Sequence, residues 1–110
     1  MITISNQLAK ENEKKFRLKR VIFIVGRVHP GETNSSFLTH GIIQFLLSTD
    51  RIANYLREAF IFKIVPMINP DGVIVGNNRT SFLGRDLNRN YDNPNVMLTP
   101  ETYYLKNLVG

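Results

Sequence analysis

The chain has 110 residues, of which 43% are hydrophobic and 21% are charged, and it contains no cysteine. This composition is that of one small globular domain at most, and it excludes both a disulfide framework and a thiolate metal site. The formal net charge of +5 favours acidic partners such as an acidic peptide, nucleic acid or an anionic membrane surface.

The N-terminal half of the sequence predicts two strands and a helix joined by polar loops. The predicted elements, in chain order, are a short strand over 1–5, a loop over 6–20, a strand over 21–25, a loop over 26–33 and a helix over 34–47. Residues 21–25 are β-branched or aromatic without alternation, which is typical of a strand buried on both faces. The helix has apolar residues at three- and four-residue spacings, and Thr33, Asn34 or Ser35 can cap it.

The C-terminal half predicts two more helices and a second buried strand. The predicted elements, in chain order, are a weaker helix over 50–59, a buried strand over 60–65, an Asn-Pro-Asp-Gly turn over 69–72, a short extended stretch over 73–75, an irregular polar segment over 76–94 and a helix from 99 onwards. The last helix is indicated by Thr99 as a cap, Pro100 at the first helical position and Glu101 in the first turn. Strand, helix, strand and helix in this order indicate an α/β fold.

Two side chains that suit a metal ion occur in the loop after the first buried strand. His29 and Glu32 flank Pro30 and Gly31, and the carboxyl end of a strand is where open α/β sheets place ligand sites. An imidazole nitrogen and a carboxylate oxygen both suit zinc, and a tight loop can direct the two side chains towards one ion. From this motif alone, a loop histidine beside a surface glutamate is the favoured interpretation, because His-x-x-Glu often occurs by chance.

The polar segment that follows the second buried strand carries a second group of candidate residues. Asn88 and Arg89 can grip a carboxylate through several hydrogen bonds if the arginine is buried. Asp86 can orient a metal-binding histidine, and Arg79 can stabilise a developing oxyanion. The alternative is a polar turn with surface ion pairs. His40, the only other histidine, is interpreted as a helix-surface or packing residue, because the helix carries it away from the loop.

Four ordered motifs together resemble the cytosolic carboxypeptidases, a branch of the carboxypeptidase A-like zinc peptidases. The motifs are Gly-Arg-Val-His-Pro-Gly-Glu-Thr-Asn-Ser-Ser at 26–36, Phe-Lys-Ile-Val-Pro-Met-Ile-Asn-Pro-Asp-Gly-Val at 62–73, Gly-Asn-Asn-Arg at 76–79 and Asp-Leu-Asn-Arg at 86–89. The resemblance covers about residues 20–110. It implies an α/β fold with a partial mixed sheet flanked by helices, in which residues 1–110 are the N-terminal portion of a zinc carboxypeptidase catalytic domain, truncated at both ends.

The resemblance also implies a role for each candidate residue. The implied roles are zinc ligand for His29 and Glu32, orientation of the zinc-binding histidine for Asp86, polarisation of the scissile carbonyl for Arg79, and binding of the substrate's C-terminal carboxylate for Asn88 and Arg89. In the family a third zinc ligand, a histidine, and a general-base glutamate lie beyond the point where this chain stops. The chain alone is therefore expected to lack both.

The function implied by the resemblance is that of a metallocarboxypeptidase with a Zn²⁺ cofactor. Such an enzyme uses zinc-activated water to remove C-terminal or side-chain glutamates from acidic protein tails, such as those of polyglutamylated tubulin, and a basic cleft would suit these substrates. The alternatives are an inactive truncated relic or non-catalytic binding fragment of the family, and a neighbouring amidohydrolase. A nucleic-acid-binding module is disfavoured, because basic and aromatic residues are not interleaved along the sequence.

The expected location is the cytoplasm, without a membrane partner. No stretch approaches 18 consecutive apolar residues, which argues against a membrane span. The first residues also lack the basic region and apolar stretch of a secretory signal. The sequence leaves the oligomeric state open.

Overall fold

The computed structural model describes residues 1–6 and 19–109, which form a small mixed α/β assembly as predicted. Its elements are β1 (Ile2–Ile4), β2 (Arg20–Val25), α1 (Thr33–Leu47), α2 (Arg51–Ala59), β3 (Phe60–Val65), α3 (Pro70–Val75), a 3-10 turn (Leu87–Arg89) and α4 (Pro100–Val109). Most of the loop predicted over 6–20 lies outside the described residues. Within the described ranges, no helix is long and apolar enough to cross a membrane.

The three strands form a mixed sheet in the order β1-β3-β2. β3 is central: it pairs antiparallel with β1, and parallel with β2 in a register that sets Val25 opposite Val65. Its residues Ile61, Phe62 and Ile64 are buried, as the sequence predicted for this strand. β2 is less buried than predicted, since it is an edge strand of the described sheet and Val21 is 50% exposed. An apolar run does not reveal whether a neighbouring strand or helix covers it.

Two apolar clusters hold the layers together. In the first, Leu46 of α1 packs with Ile4, Phe62 and Ile64, so that α1 and α2 cover one face of the sheet. The second cluster joins the carboxyl ends of the strands to the C-terminal half of the chain through Ile68, Leu87, Leu105, Val25 and Val65. Because Leu87 is fully buried, the polar residues on either side of it are fixed next to the ends of β2 and β3.

The start of α1 differs from the prediction. The helix begins at Thr33, its N-cap residue is Glu32, and no side chain makes a capping hydrogen bond. The predicted apolar stripe is also covered only in part, since Leu46 is buried whereas Phe37 and Leu38 are 76% and 67% exposed. The spacing predicted the helix correctly, but it did not identify the covered face.

The predictions for residues 69–75 are wrong, because Pro70–Val75 form a short helix instead of a turn and an extended stretch. Asn69 caps it by accepting a hydrogen bond from the Gly72 amide at 3.1 Å, Pro70 occupies the first helical turn, and Gly76 ends it with a φ of 83°. An asparagine cap, an early proline and a left-handed glycine are ordinary helix-end signals. The turn composition of Asn-Pro-Asp-Gly masked them.

Candidate active site

The candidate site lies where the chain leaves the carboxyl ends of β2 and β3. Backbone pairing continues past both strands, since the Gly26 amide donates to Val65 O at 2.8 Å and the Ile68 amide donates to Gly26 O at 3.1 Å. The two segments therefore leave the sheet side by side. Polar residues on one segment are consequently close to polar residues on the other.

His29 is the centre of the site. It is 7% exposed, its Nδ1 lies 2.8 Å from Glu32 Oε1, and its Nε2 lies 3.1 Å from Asp86 Oδ1. The structure thus brings together the two predicted metal ligands and the carboxylate predicted to orient the histidine. Each ring nitrogen therefore faces a carboxylate oxygen. With a cation bound by Nδ1 and Glu32, the proton of His29 would be on Nε2, where Asp86 accepts it.

Asp86 is held by three donors. It accepts hydrogen bonds from Arg79 Nε at 2.7 Å, from the Asn88 amide at 3.0 Å and from His29. Desolvation acts to raise the pKa of Asp86, but these hydrogen bonds, that of Arg79 first, outweigh it and hold the pKa below its usual value. The carboxylate therefore stays ionised and can accept from His29 and Arg79 together.

Asn88 and Arg89 lie next to this group, in the 3-10 turn that Asp86 caps. Both side chains are exposed, and Arg89 Nη1 donates only to the backbone oxygen of Asn88 within the described part of the chain. The burial that would strengthen a carboxylate grip by Arg89 is therefore not present in this structure. Arg79 is 48% exposed and uses Nε for Asp86, so its terminal nitrogens are left for other acceptors.

Two further contacts that the sequence did not predict hold the loops of the site together. The Gly31 amide donates to Asn78 O at 2.7 Å, and Asn69 Nδ2 donates to Val28 O at 3.2 Å. Both connect the loop of His29 to the chain that follows β3. The Asn-Pro cap signal could have identified Asn69 as a structural residue, whereas no sequence pattern indicates the contact of Asn78.

The metal donors that His29 and Glu32 provide are compatible with zinc. Nδ1 of His29 and Oε1 of Glu32 are both donors that zinc accepts, and they converge on one point. The described residues contain no group of three or more His, Asp or Glu that could hold a metal, because Asp86 is on the opposite side of the imidazole. His40 is exposed on α1, as predicted. The described residues thus offer two donors to one ion.

Comparison with known families agrees with this geometry. The sequence pattern of the family described as "Zinc carboxypeptidase" matches residues 1–103. The chain therefore belongs to the zinc carboxypeptidase family.

Within that class, the predicted resemblance to the cytosolic carboxypeptidases is confirmed. The chain is 52% identical over 99 residues to cytosolic carboxypeptidase 1 of Danio rerio, and 52% identical over 99 residues to cytosolic carboxypeptidase 6 of Mus musculus. Each match covers 90% of this chain. The chain spans only 9% and 18% of the lengths of these two relatives.

Solved structures show the same fold. A metallo-carboxypeptidase from Burkholderia cenocepacia matches with a TM-score of 0.85 and 28% identity, over 97% of this chain and 28% of that one. A metallo-carboxypeptidase from Pseudomonas aeruginosa, solved in complex with (2-guanidinoethylmercapto)succinic acid, matches with a TM-score of 0.76 and 31% identity. That match covers 80% of this chain and 24% of the other.

Proposed function

We propose that residues 1–110 form the N-terminal portion of a metallocarboxypeptidase catalytic domain and contribute two zinc ligands, His29 and Glu32. The observation that carries the proposal is the placement of His29 between two carboxylates, with Glu32 at Nδ1 and Asp86 at Nε2. Glu32 would share the cation with His29, and Asp86 would orient the imidazole. Metal-binding histidines commonly donate the ring N–H to a carboxylate in this way.

Zinc bound by these two residues supplies a Lewis acid and an activated water. With the cation on Nδ1, Asp86 would accept the remaining ring N–H of His29 at Nε2 and hold the imidazole in place. Arg79, fixed by the same carboxylate, presents its terminal N–H groups to the oxyanion that develops at the scissile carbonyl. A third ligand and a general base would come from parts of the protein outside these 110 residues.

Asn88 and Arg89 are proposed to bind the C-terminal carboxylate of the substrate. An arginine fork suits a planar carboxylate, and the exposure of Arg89 leaves its guanidinium free to turn towards a ligand. The Pseudomonas aeruginosa relative was solved with a succinic acid derivative, a compound with two carboxylates. This supports a carboxylate-binding role for the fold.

Acidic protein tails are the proposed substrate class. The eleven residues 79–89 contain three exposed arginines, which are Arg79, Arg85 and Arg89. The whole chain carries a net charge of +5. Such a positive surface steers acidic peptides towards the site. We propose removal of C-terminal or side-chain glutamates from tails such as that of polyglutamylated tubulin, in the cytoplasm.

The test is release of glutamate from C-terminal glutamate peptides by the full-length protein that carries this chain. His29→Ala and Glu32→Ala should each abolish turnover, and so should removal of the metal by a chelator. Arg89→Ala should chiefly raise KM. His40→Ala, in an exposed histidine of α1, is the matched control and should leave turnover unchanged.

Two outcomes would argue against the proposal. Normal turnover in the His29 or Glu32 variant removes the zinc assignment. A wild-type protein that binds acidic peptides without releasing glutamate would support the second candidate, a non-catalytic binding fragment. The observation that favours this candidate is that the described residues offer only two donors to one metal ion.

A further inference from the structure

Arg27 has an unusual backbone conformation at the point where the chain turns from β2 into the loop of His29. Its φ is 52°, the one positive φ of a non-glycine residue in the described ranges. The left-handed region is unfavourable for a side chain with a Cβ, and such residues persist where the surrounding structure fixes them. Here the Arg27 amide donates to Ser35 Oγ at 2.6 Å. That contact fastens the second residue of the loop to the first turn of α1.

The side chain of Arg27 makes a second connection across the same loop. Nε donates to Pro30 O at 2.7 Å, and Nη1 donates to Ser36 Oγ at 2.9 Å. Pro30 stands between His29 and Glu32, and Ser36 belongs to α1. The planar guanidinium therefore holds the middle of the loop and the helix at a fixed separation.

This connection matters because the loop has few others on the side of α1. The helix begins at Thr33, after the N-cap residue Glu32, without a side-chain cap. Arg27 contacts Ser35 and Ser36 in its first turn and so helps to position that turn. A lysine has one point of attachment and cannot donate to Pro30 O and Ser36 Oγ in the same geometry. His29 and Glu32, whose side chains converge in the site, precede and follow in the chain the Pro30 carbonyl that Arg27 holds.

We infer that Arg27 is a positioning residue, which fixes His29 and Glu32 at the separation that lets both bind one divalent cation. This inference rests on the proposed function of those two residues. Arg27 itself donates to no atom of either side chain, so its effect on the metal is indirect. Residues of this kind typically change metal affinity by about 10- to 100-fold when they are replaced.

The experiment measures the dissociation constant for zinc, by competition with a chromogenic chelator, on the full-length protein. Arg27→Asn removes the fork but tolerates the left-handed backbone, and it should weaken zinc binding by about 10- to 100-fold. Ser36→Ala removes one partner of the fork and should weaken binding by about two- to tenfold. The zinc affinity of Arg27→Lys should lie between those of the wild type and Arg27→Asn. Arg51→Asn, with the same change of charge at an exposed position at the start of α2, is the control and should match the wild type.

A double variant separates positioning from general destabilisation. If Ser36 acts through Arg27, adding Ser36→Ala to Arg27→Asn should weaken zinc binding no further, while the melting temperature of the metal-free protein stays within the range of the Arg51→Asn control. Unchanged zinc affinity in both Arg27→Asn and Ser36→Ala would overturn the inference, and so would additive effects of the two. His29→Ala tests the proposed function separately. Tight zinc binding in that variant would show that His29 is not a zinc ligand, whatever the role of Arg27.

Discussion

At the scale of single residues, Asp86 connects the proposed metal ligand to the proposed oxyanion donor. Its two carboxylate oxygens accept from different partners, Oδ1 from His29 and Oδ2 from Arg79. The sequence indicated a role for this aspartate behind the histidine, but not that it also holds Arg79. That second contact depends on a seven-residue separation in an irregular segment, for which no periodic pattern exists.

Asp86→Asn should weaken zinc binding and lower kcat/KM by about 10- to 100-fold. The amide keeps the shape of the side chain but lacks the charge that favours a proton on His29 Nε2 and pairs with Arg79. Zinc affinity by chelator competition and steady-state turnover of a C-terminal glutamate peptide are the measurements. The exposed Asp92, whose backbone carbonyl alone accepts a hydrogen bond, provides the control Asp92→Asn, which should leave both unchanged. Equal zinc affinity in the two variants would contradict the role given to Asp86.

At the scale of elements, α3 shows where reading the sequence was insufficient. Asn, Pro, Asp and Gly are all turn formers and together predict a turn, yet Asn69 is also a helix cap and Pro70 a favourable first helical residue. Burial decided between the two, since Asn69 is fully buried and must satisfy both the Gly72 amide and Val28 O. The sequence does not show which residues will be buried.

The other elements show the same difference between features that local sequence signals predict and features that depend on burial. β3, α2 and α4 were predicted nearly to their ends, because hydrophobic runs and cap residues are local signals. For α2 that cap is Asp50, whose side chain accepts from the Ile52 and Ala53 amides. The exposure of β2 and of the outer face of α1 was not predicted, since it depends on what packs against them. The family motifs name the site residues one by one, and their roles stay a prediction, whereas the contacts of Arg27 and Asn69 needed the structure.

The packing of α3 against the loop of His29 predicts the effect of a single methyl group. A Cβ at Gly72 would lie 2.5 Å from Pro30 Cγ and 2.7 Å from Thr80 O, so Gly72→Ala should lower the free energy of unfolding by about 1–3 kcal/mol. It should also weaken zinc binding, because Pro30 lies between the two proposed ligands. Urea unfolding and chelator competition on the full-length protein are the measurements.

Gly41→Ala is the matched control for that variant. Gly41 lies within α1, and an added Cβ has no heavy atom within 4 Å. The same substitution there should raise the stability by about 0.5–1 kcal/mol, since alanine is the better helix former. A loss of stability of the same size at both glycines would show that the contact with Pro30 is not the cause.

At the scale of the whole molecule, the chain is thin and exposes many apolar side chains. Its principal extents are 48 × 27 × 17 Å and its radius of gyration is 16.1 Å, against roughly 13 Å for a compact domain of this length. The most exposed large apolar residues include Phe37, Leu38, Ile74, Phe82 and Met97. Apolar surface on this scale marks contact with other protein, in agreement with relatives that are several times longer than the chain.

The 110-residue chain produced alone should therefore self-associate. Sedimentation velocity at increasing concentration should show species larger than the monomer, and replacing Phe37 and Leu38 together by glutamine should shift the distribution towards the monomer. His40→Gln, an exposed polar position of the same helix, should leave the distribution unchanged. A wild-type chain that stays monomeric throughout would show that its apolar surface is not adhesive.

The distances along the chain within the site have a kinetic consequence. Glu32 is three residues from His29, but Asp86 is 57 residues away and meets the imidazole only after β2 and β3 have paired in parallel. Contacts between residues far apart in sequence form slowly, because a long loop must close first. During refolding in the presence of zinc, a loose two-donor complex should therefore appear early. Its tightening, timed by stopped-flow chelator competition, would mark the moment at which the two halves of the chain meet.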